Sequence, residues 1–393
     1  MWKILSSPRL LFGIYMMAAI ATALQQWWLP GNIEGYTHYN NFVIFKNAFH
    51  HLLQGDNLYL PYPQKQYDLY KYSPTFALAM GPLAMLPDLA GLILWNMLNA
   101  GVLWLGIRTL PLPIRIQAAI AWFCLIELIT SLQNAQSNGL IAGLLLLAFT
   151  GLEKGQVGKA TLWINITVFI KLFGGVALVQ GIFSKRKWYF GLAALGWAMV
   201  LALLPALFIP FSSLVQQYQN WWQLLASDYA ASIGLSVAGW LQSWFGLAPP
   251  KHWITLTGIV LLALPLLRYS CFPATSFRMK YFSALCIWMV IFNHKAESST
   301  FIIAVCGIAL WYFSQAPSPF NTTLMVLVFL FTILSPVDVY PPSLRQQVFV
   351  PFVIKVVPCI CVWAKIIFEL MHRDFCGGNR VSSLNRSAPP ELA

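Results

Sequence analysis

Three clusters of polar residues in this sequence have the types and spacing that chemistry needs. Glu34 lies a few residues beyond the first apolar segment. A carboxylate there can act as a general base toward a hydroxyl, or it is simply a solvated loop acid. His38, Asn40 and Asn41 follow, immediately ahead of a helical pattern. An amide takes no proton, so Asn40 and Asn41 can orient a substrate by hydrogen bonds, or Asn41 can cap the helix. His38 can serve as a base near neutral pH. The third cluster is Asn293-His294-Lys295-Ala296-Glu297-Ser298-Ser299-Thr300, where one apolar segment ends and the next begins. His294 and Lys295 suit a phosphate, and Glu297 either balances Lys295 or touches the substrate. An ordinary turn with a snorkelling lysine is the plainer alternative.

Single residues add to these clusters. Tyr72 belongs to a polar, Tyr-rich loop that also contains Asp56, Tyr59, Asp68, Tyr70 and Lys71. Arg345 is a second candidate phosphate ligand, with interfacial snorkelling as its alternative. Glu127 falls in the middle of an apolar segment, where a carboxylate needs a partner; Lys171 or another polar side chain could supply it, most simply as a structural ion pair. No Walker loop, Rossmann glycine fingerprint, HExxH or DxD-type run occurs, and the loop acids are scattered singly. No metal site and no cofactor are expected.

The elements that must position these residues follow from composition. Of 393 residues, 59% are hydrophobic and 9% charged, with 17 Trp. A soluble chain carries about 25% charged residues, so the repeated apolar runs indicate an all-α polytopic membrane protein. The formal charge of +12 does not point to nucleic acid. It comes from Lys and Arg in short loops that stay cytoplasmic: Arg108 with Arg115, Lys154 with Lys159, Lys185-Arg186-Lys187, Arg268 with Arg278 and Lys280, and Arg373 with Arg380. None of the seven cysteines falls in an external loop, so no disulfide framework is implied. Lys3 and Arg9 ahead of an apolar run suit a first span, with a signal peptide as the alternative.

Hydropathy and charge predict spans at 10–28, 88–108, 116–133, 138–152, 160–170 with 172–183, 188–211, 252–268, 281–293, 299–314, 321–335 and 346–370. This gives about 12 transmembrane or re-entrant helices in one domain over 1–376, with a disordered cytoplasmic tail at 377–393 and both termini cytoplasmic. The segment 160–183 has lysines at both flanks and is predicted to turn back at Lys171-Leu172-Phe173-Gly174-Gly175, with Lys171 facing a polar cavity. Residues 73–87 are predicted to dip into the outer leaflet and return. Phe42, Phe45, Phe49, Leu52 and Leu53 recur at helical spacing, which predicts an in-plane amphipathic helix over 41–54 within the external loop 29–73. The external loop 212–251 holds Trp221 and Trp222, which look like an interfacial anchor. All the polar clusters then share one external side. A site built there by many loops is the expectation.

The residues also carry a resemblance. NFVIFKNAFHHLLQGDNLY, then YSPTFALAMGPLAMLP followed by LWNMLNA, AQSN at 135–138 where G-Q-x-N is usual, and FIKLFGG in place of a K-P-F-P-like turn occur in order. The chain resembles the integral-membrane glycosyltransferases of the GT-C superfamily, specifically glycosyltransferase family 87, the polyprenyl-phosphate-mannose-dependent α-mannosyltransferases. The resemblance implies a GT-C-like bundle in a bacterial-type cytoplasmic membrane. A hexose, mannose by analogy, would pass from a polyprenyl-phosphate donor to a lipid or cell-envelope glycan acceptor on the outer face. It further implies metal independence, inversion at the anomeric carbon and a base from the first external loop. Gln136, Asn138 and Lys171 would line the site, and His294 and Lys295 would contact the donor phosphate. One departure stands out. Where the family has its catalytic aspartate, this chain has Asn41, or Asn40 in the other register. Glu34, or else His38, would take over as base; otherwise the protein binds lipid-linked sugar without transferring it. A transporter or flippase of such lipids is the rival from another class.

Overall fold

The computed structural model describes residues 2–31, 36–228 and 234–375; Glu34, Cys376 and the 377–393 tail fall outside them. All regular structure among the described residues is helical. The chain runs back and forth between two ends of a bundle. Helix α1 (Pro8–Trp28) leaves the end that carries Arg9, and α2 (Asn40–Gln54) lies across the opposite end. Two short helices, Pro74–Ala79 and Gly81–Ala84, stay there before α3 (Asp88–Thr109) returns. Next come α4 (Ile114–Leu132), α5 (Asn138–Glu153) and α6 (Val157–Ile170). A 3₁₀ helix, Leu172–Phe183, leads to α7 (Lys187–Leu203). Beyond it lie α8 (Phe211–Asp228), α9 (Val237–Phe245), α10 (Lys251–Ala263), α11 (Thr275–Ile291), α12 (Phe301–Phe313), α13 (Pro319–Val328) and α14 (Val357–His372).

Four stretches are long and apolar enough to cross a membrane: α1, α3, α4 and Lys187–Leu207. Shorter apolar helices of 10–17 residues include α5, α6 and the 3₁₀ helix. The predicted span 346–370 is not one rod: Pro342–Phe349 and Ile354–His372 meet at 77°. Val353 sits at that bend with φ 43°, a left-handed conformation that a β-branched residue rarely adopts.

The basic loops gather at one end. Arg278 grips Glu153 through two N–H···O bonds of 2.6 Å, Phe183 packs on Phe272 and Phe277, and Arg268 donates to the Leu370 and Arg373 carbonyls. The expected hairpin at Lys171 is present. Its two arms are close in height because 3₁₀ geometry rises about 2.0 Å per residue against about 1.5 Å in an α-helix, so the 12 residues of the 3₁₀ helix span about 24 Å and the 14 of α6 about 21 Å. Helices α3 and α5 touch backbone to backbone, since a Cβ on Gly143 would fall 2.5 Å from the Val102 carbonyl. Asn96 donates to Thr22 and Gln26, adding polar bonds between α1 and α3.

Three sequence expectations change here. Glu127 forms the expected buried ion pair, but its partner is Lys355 at 2.8 Å and not Lys171. The two are 228 positions apart, and the bend at Val353 turns Lys355 inward, where it also donates to Ser298. The apolar face of α2 is covered by protein: Phe49 packs on Gly81, Phe42 on Gly91, and Phe45 on Tyr72, Phe76 and Trp95. Leu53 is exposed and His51 is buried instead, because the covered face runs through positions 44, 45, 48, 51 and 52. Finally, the described residues of 212–251 are not a plain loop; they hold most of α8 and all of α9.

Candidate functional site

Loops from distant parts of the chain meet at the end opposite the basic loops. Gly55 ends α2 in the left-handed conformation, and its N–H reaches back to the carbonyls of His51 and Leu52. The chain then runs over α8, where Gln217 holds the Asp56 carbonyl and the Leu58 N–H. It returns to place Asp68, Lys71 and Tyr72 beside the hairpin, and Ser73 ties it there by donating to the Phe169 carbonyl at 2.5 Å. The 133–138 turn is fixed by Gln26 and Asn41, which donate to the carbonyls of Gln133 and Asn134, each at 2.8 Å. Ala135 in that turn has φ 47°, and its carbonyl accepts from Trp95. This left-handed geometry favours glycine, which explains the glycine of the G-Q-x-N pattern and makes Ala135 a strained substitute.

The centre of the site is Gln136. Its Oε1 accepts from Tyr72 Oη at 3.1 Å and from Lys171 Nζ at 3.3 Å, while its Nε2 donates to Glu297 at 3.3 Å. Lys171 also donates to Asn138 Oδ1 at 2.9 Å, and Asn138 donates to Ser299 at 3.3 Å. Glu297 is held further by a capping box with Thr300. Burial lowers the pKa of Lys171 to about 8, an effect that Glu297 partly opposes. Burial, followed by the charge of Glu297, pushes the Tyr72 phenol well up, so it remains a proton donor.

Two neighbouring chambers adjoin this network. The larger, about 480 Å³, brings Lys71, Lys171, His294 and Lys295 together. Its remaining wall is largely apolar, with Ile44, Ile170, Phe173, Trp221 and Leu225. The smaller, about 180 Å³, is lined by Tyr36, His38, Asn40, Tyr67 and Asn134. Asn41, Asp68, Gln136 and Glu297 line both. Lysine ammonium groups and an imidazole facing an apolar-walled cavity suit an anionic group attached to a greasy one, and the wholly polar and aromatic small chamber suits hydroxyls. Among the described residues no three His, Cys, Asp or Glu side chains gather as a metal-binding group.

Of the sequence candidates, Asn41, Tyr72, Gln136, Asn138, Lys171, His294, Lys295 and Glu297 converge here, and His38 and Asn40 line the small chamber. Asn40 is buried and accepts from the Tyr67 N–H, whereas Asn41 faces both chambers. Asn41 does not cap α2, which starts one residue earlier with Tyr39 in the capping position. His38 Nε2 lies 3.0 Å from the Pro30 carbonyl. That contact places the proton of the neutral ring on Nε2 and leaves Nδ1 as the acceptor. Arg345 is elsewhere, bonded to Asp338 at 2.7 Å and to the Pro336 carbonyl. Trp221 and Trp222 part company: Trp221 is buried and donates to the Lys71 carbonyl, while Trp222 is 72% exposed. Asp68, Lys71 and Trp221 are among the site residues that the sequence alone did not assign to the site. The signal for Asp68 and Lys71 was the crowding of Asp, Lys and Tyr in 56–72, whereas Trp221 was read as an anchor.

A protein whose described residues are helical, with apolar, span-length helices and a site where loops meet at one end, has the form of a GT-C-type membrane glycosyltransferase. The family model of glycosyltransferase family 87 matches residues 70–293, more than half of the chain. The protein belongs to glycosyltransferase family 87. No curated protein matches it. The matched region includes Tyr72, Gln136, Asn138 and Lys171; α2 and the 294–297 turn lie outside it.

Proposed function

We propose that this glycosyltransferase moves a hexose, mannose by family analogy, from a polyprenyl-phosphate donor to a lipid or cell-envelope glycan on the outer face of a cytoplasmic membrane. About twelve segments would cross or re-enter the bilayer, with the basic loops cytoplasmic and α2 lying over the external end. The observation that carries this reading is the larger chamber, where Lys71, Lys171, His294 and Lys295 face a cavity with apolar walls. A polyprenyl phosphodiester combines those two chemistries, with its phosphate at the cations and its isoprenoid against Ile170, Phe173 and Trp221.

With the phosphate so held, the anomeric carbon falls at the junction marked by Asn41, Gln136 and Glu297. An acceptor hydroxyl arriving from the small chamber attacks from the side opposite the phosphate, which inverts the anomeric centre. The carbon–oxygen bond to phosphate breaks, and the cations stabilise the departing phosphate. Tyr72 and Lys171 hold Gln136 in place, and Gln136 in turn steadies Glu297.

The test is transfer by the purified chain in lipid nanodiscs, with labelled polyprenyl-phosphate hexoses and an envelope-glycan extract. A charged hydrogen bond contributes about 1.5–3 kcal/mol, so Lys171→Met is expected to weaken donor binding by roughly 10–150-fold. Donor binding without transfer by wild type would favour a binding subunit. Neither binding nor transfer with any polyprenyl-phosphate hexose would refute the proposal.

A further inference from the structure

We infer that the small chamber is the acceptor subsite, that it takes a sugar ring, and that Asp68 is the catalytic base that receives the proton of the attacking hydroxyl. This rests on the glycosyl-transfer reading above. The base must stand where donor and acceptor meet, and four side chains line both chambers: Asn41, Asp68, Gln136 and Glu297. Two are amides, which cannot take a proton. Glu297 is doubly engaged, accepting from Gln136 and from the Thr300 N–H. Asp68 is less committed. Its Oδ1 accepts from the Leu69 N–H at 2.7 Å, while among the described residues its Oδ2 meets Lys71 Nζ in an ion pair at 3.6 Å, beyond hydrogen-bond length. That carboxylate therefore stands in for the acid that Asn41 lacks, reaching the same junction from the loop after α2 instead of from its start.

The chamber itself points to the class of acceptor. Every residue lining it has a polar or aromatic side chain. Tyr36 and Tyr67 meet edge to face at 5.6 Å on its wall, and aromatic rings suit the C–H side of a sugar, with Asn40, Asn134 and His38 around for its hydroxyls. A long-chain alcohol or diacylglycerol would find no aliphatic wall there. In the step itself, the acceptor O–H proton passes to Asp68 Oδ2 as the oxygen bonds to the anomeric carbon. The electron pair of the broken carbon–oxygen bond leaves with the polyprenyl phosphate, and Asp68 then releases the proton to water.

The experiment compares wild type, Asp68→Asn, Asp68→Glu, His38→Ala and Glu34→Gln in nanodiscs. It reads donor binding and transfer separately, with soluble hexosides and diacylglycerol as alternative acceptors. Asp68→Asn is expected to lose about 10²–10⁴ in transfer while donor affinity stays within about threefold, which also reports that it is folded. Asp68→Glu, which keeps the carboxylate on a longer stem, is expected to retain at least about a tenth of wild-type transfer, and it decides the matter should the Asn variant not fold. Asp68→Asn keeping more than about a tenth of wild-type transfer, or a loss confined to His38→Ala or Glu34→Gln, overturns the assignment of the base. Transfer to diacylglycerol but to no hexoside overturns the acceptor subsite. A wild type that transfers to nothing overturns the glycosyl-transfer reading itself, and this inference with it.

Discussion

Lys171 gives the sharpest quantitative expectation. Its ammonium lies at the turn of the hairpin, where burial lowers its pKa to about 8. Asn138 and Gln136 accept from it, and with three N–H groups to place it can still offer one to a phosphate in the cavity. With a pKa of about 8, roughly ten elevenths of the molecules carry the charge at pH 7 and one eleventh at pH 9. The proposed donor is a phosphodiester, whose single charge does not change over that range. Donor affinity should therefore fall about tenfold from pH 7 to pH 9, within the range a charged hydrogen bond supplies. Unfolding through this group cannot mimic the loss. The folded pKa lies below the unfolded value, so between them the unfolded state binds more protons, and this titration raises stability as pH rises from about 8. The assay is equilibrium binding of labelled polyprenyl-phosphate hexose to protein in nanodiscs at pH 7, 8 and 9 and fixed ionic strength, beside Lys171→Arg. Arginine stays charged throughout, so the variant should bind with a flat pH profile. A flat wild-type profile, or an equal fall in both proteins, would refute the role given to Lys171.

Two further expectations concern the scaffold. Ala135→Gly relieves a left-handed alanine at φ 47° and should stabilise the protein by about 1 kcal/mol, read as a raised midpoint of unfolding in mild detergent; an unchanged or lowered midpoint contradicts the strain argument. Glu127→Gln or Lys355→Met alone leaves one charge of the buried pair without its partner and should cost about 3–5 kcal/mol, whereas the double variant should recover much of that; equal damage in all three would show that packing, not charge, matters there.

Much of the architecture could be read from the chain because two signals act locally. Apolar runs mark helices, and Lys and Arg mark the ends that stay together, so the hairpin at Lys171 and the gathering of polar loops at the opposite end follow from patterning. The convergence of Gln136, Asn138, Lys171 and the 294–297 turn was expected from motif order, and hydrogen bonds connect Gln136 to both Lys171 and Glu297.

What the sequence could not decide depends on directions and distances that no local pattern encodes. Trp221 and Trp222 are neighbours with the same chemistry, and only the rotation of α8 sends one into the cavity and leaves the other exposed. Glu127 required a partner, but the choice of Lys355 over Lys171 depends on a backbone bend far along the chain. Asp68 looked like one loop acid among several; its distinction is a place on the wall of two chambers at once. Composition and charge order therefore determined that this is a helical membrane protein with its polar loops at one end. Tertiary packing decided which side chains face one another there, because that follows from how the helices are rotated and where the backbone bends.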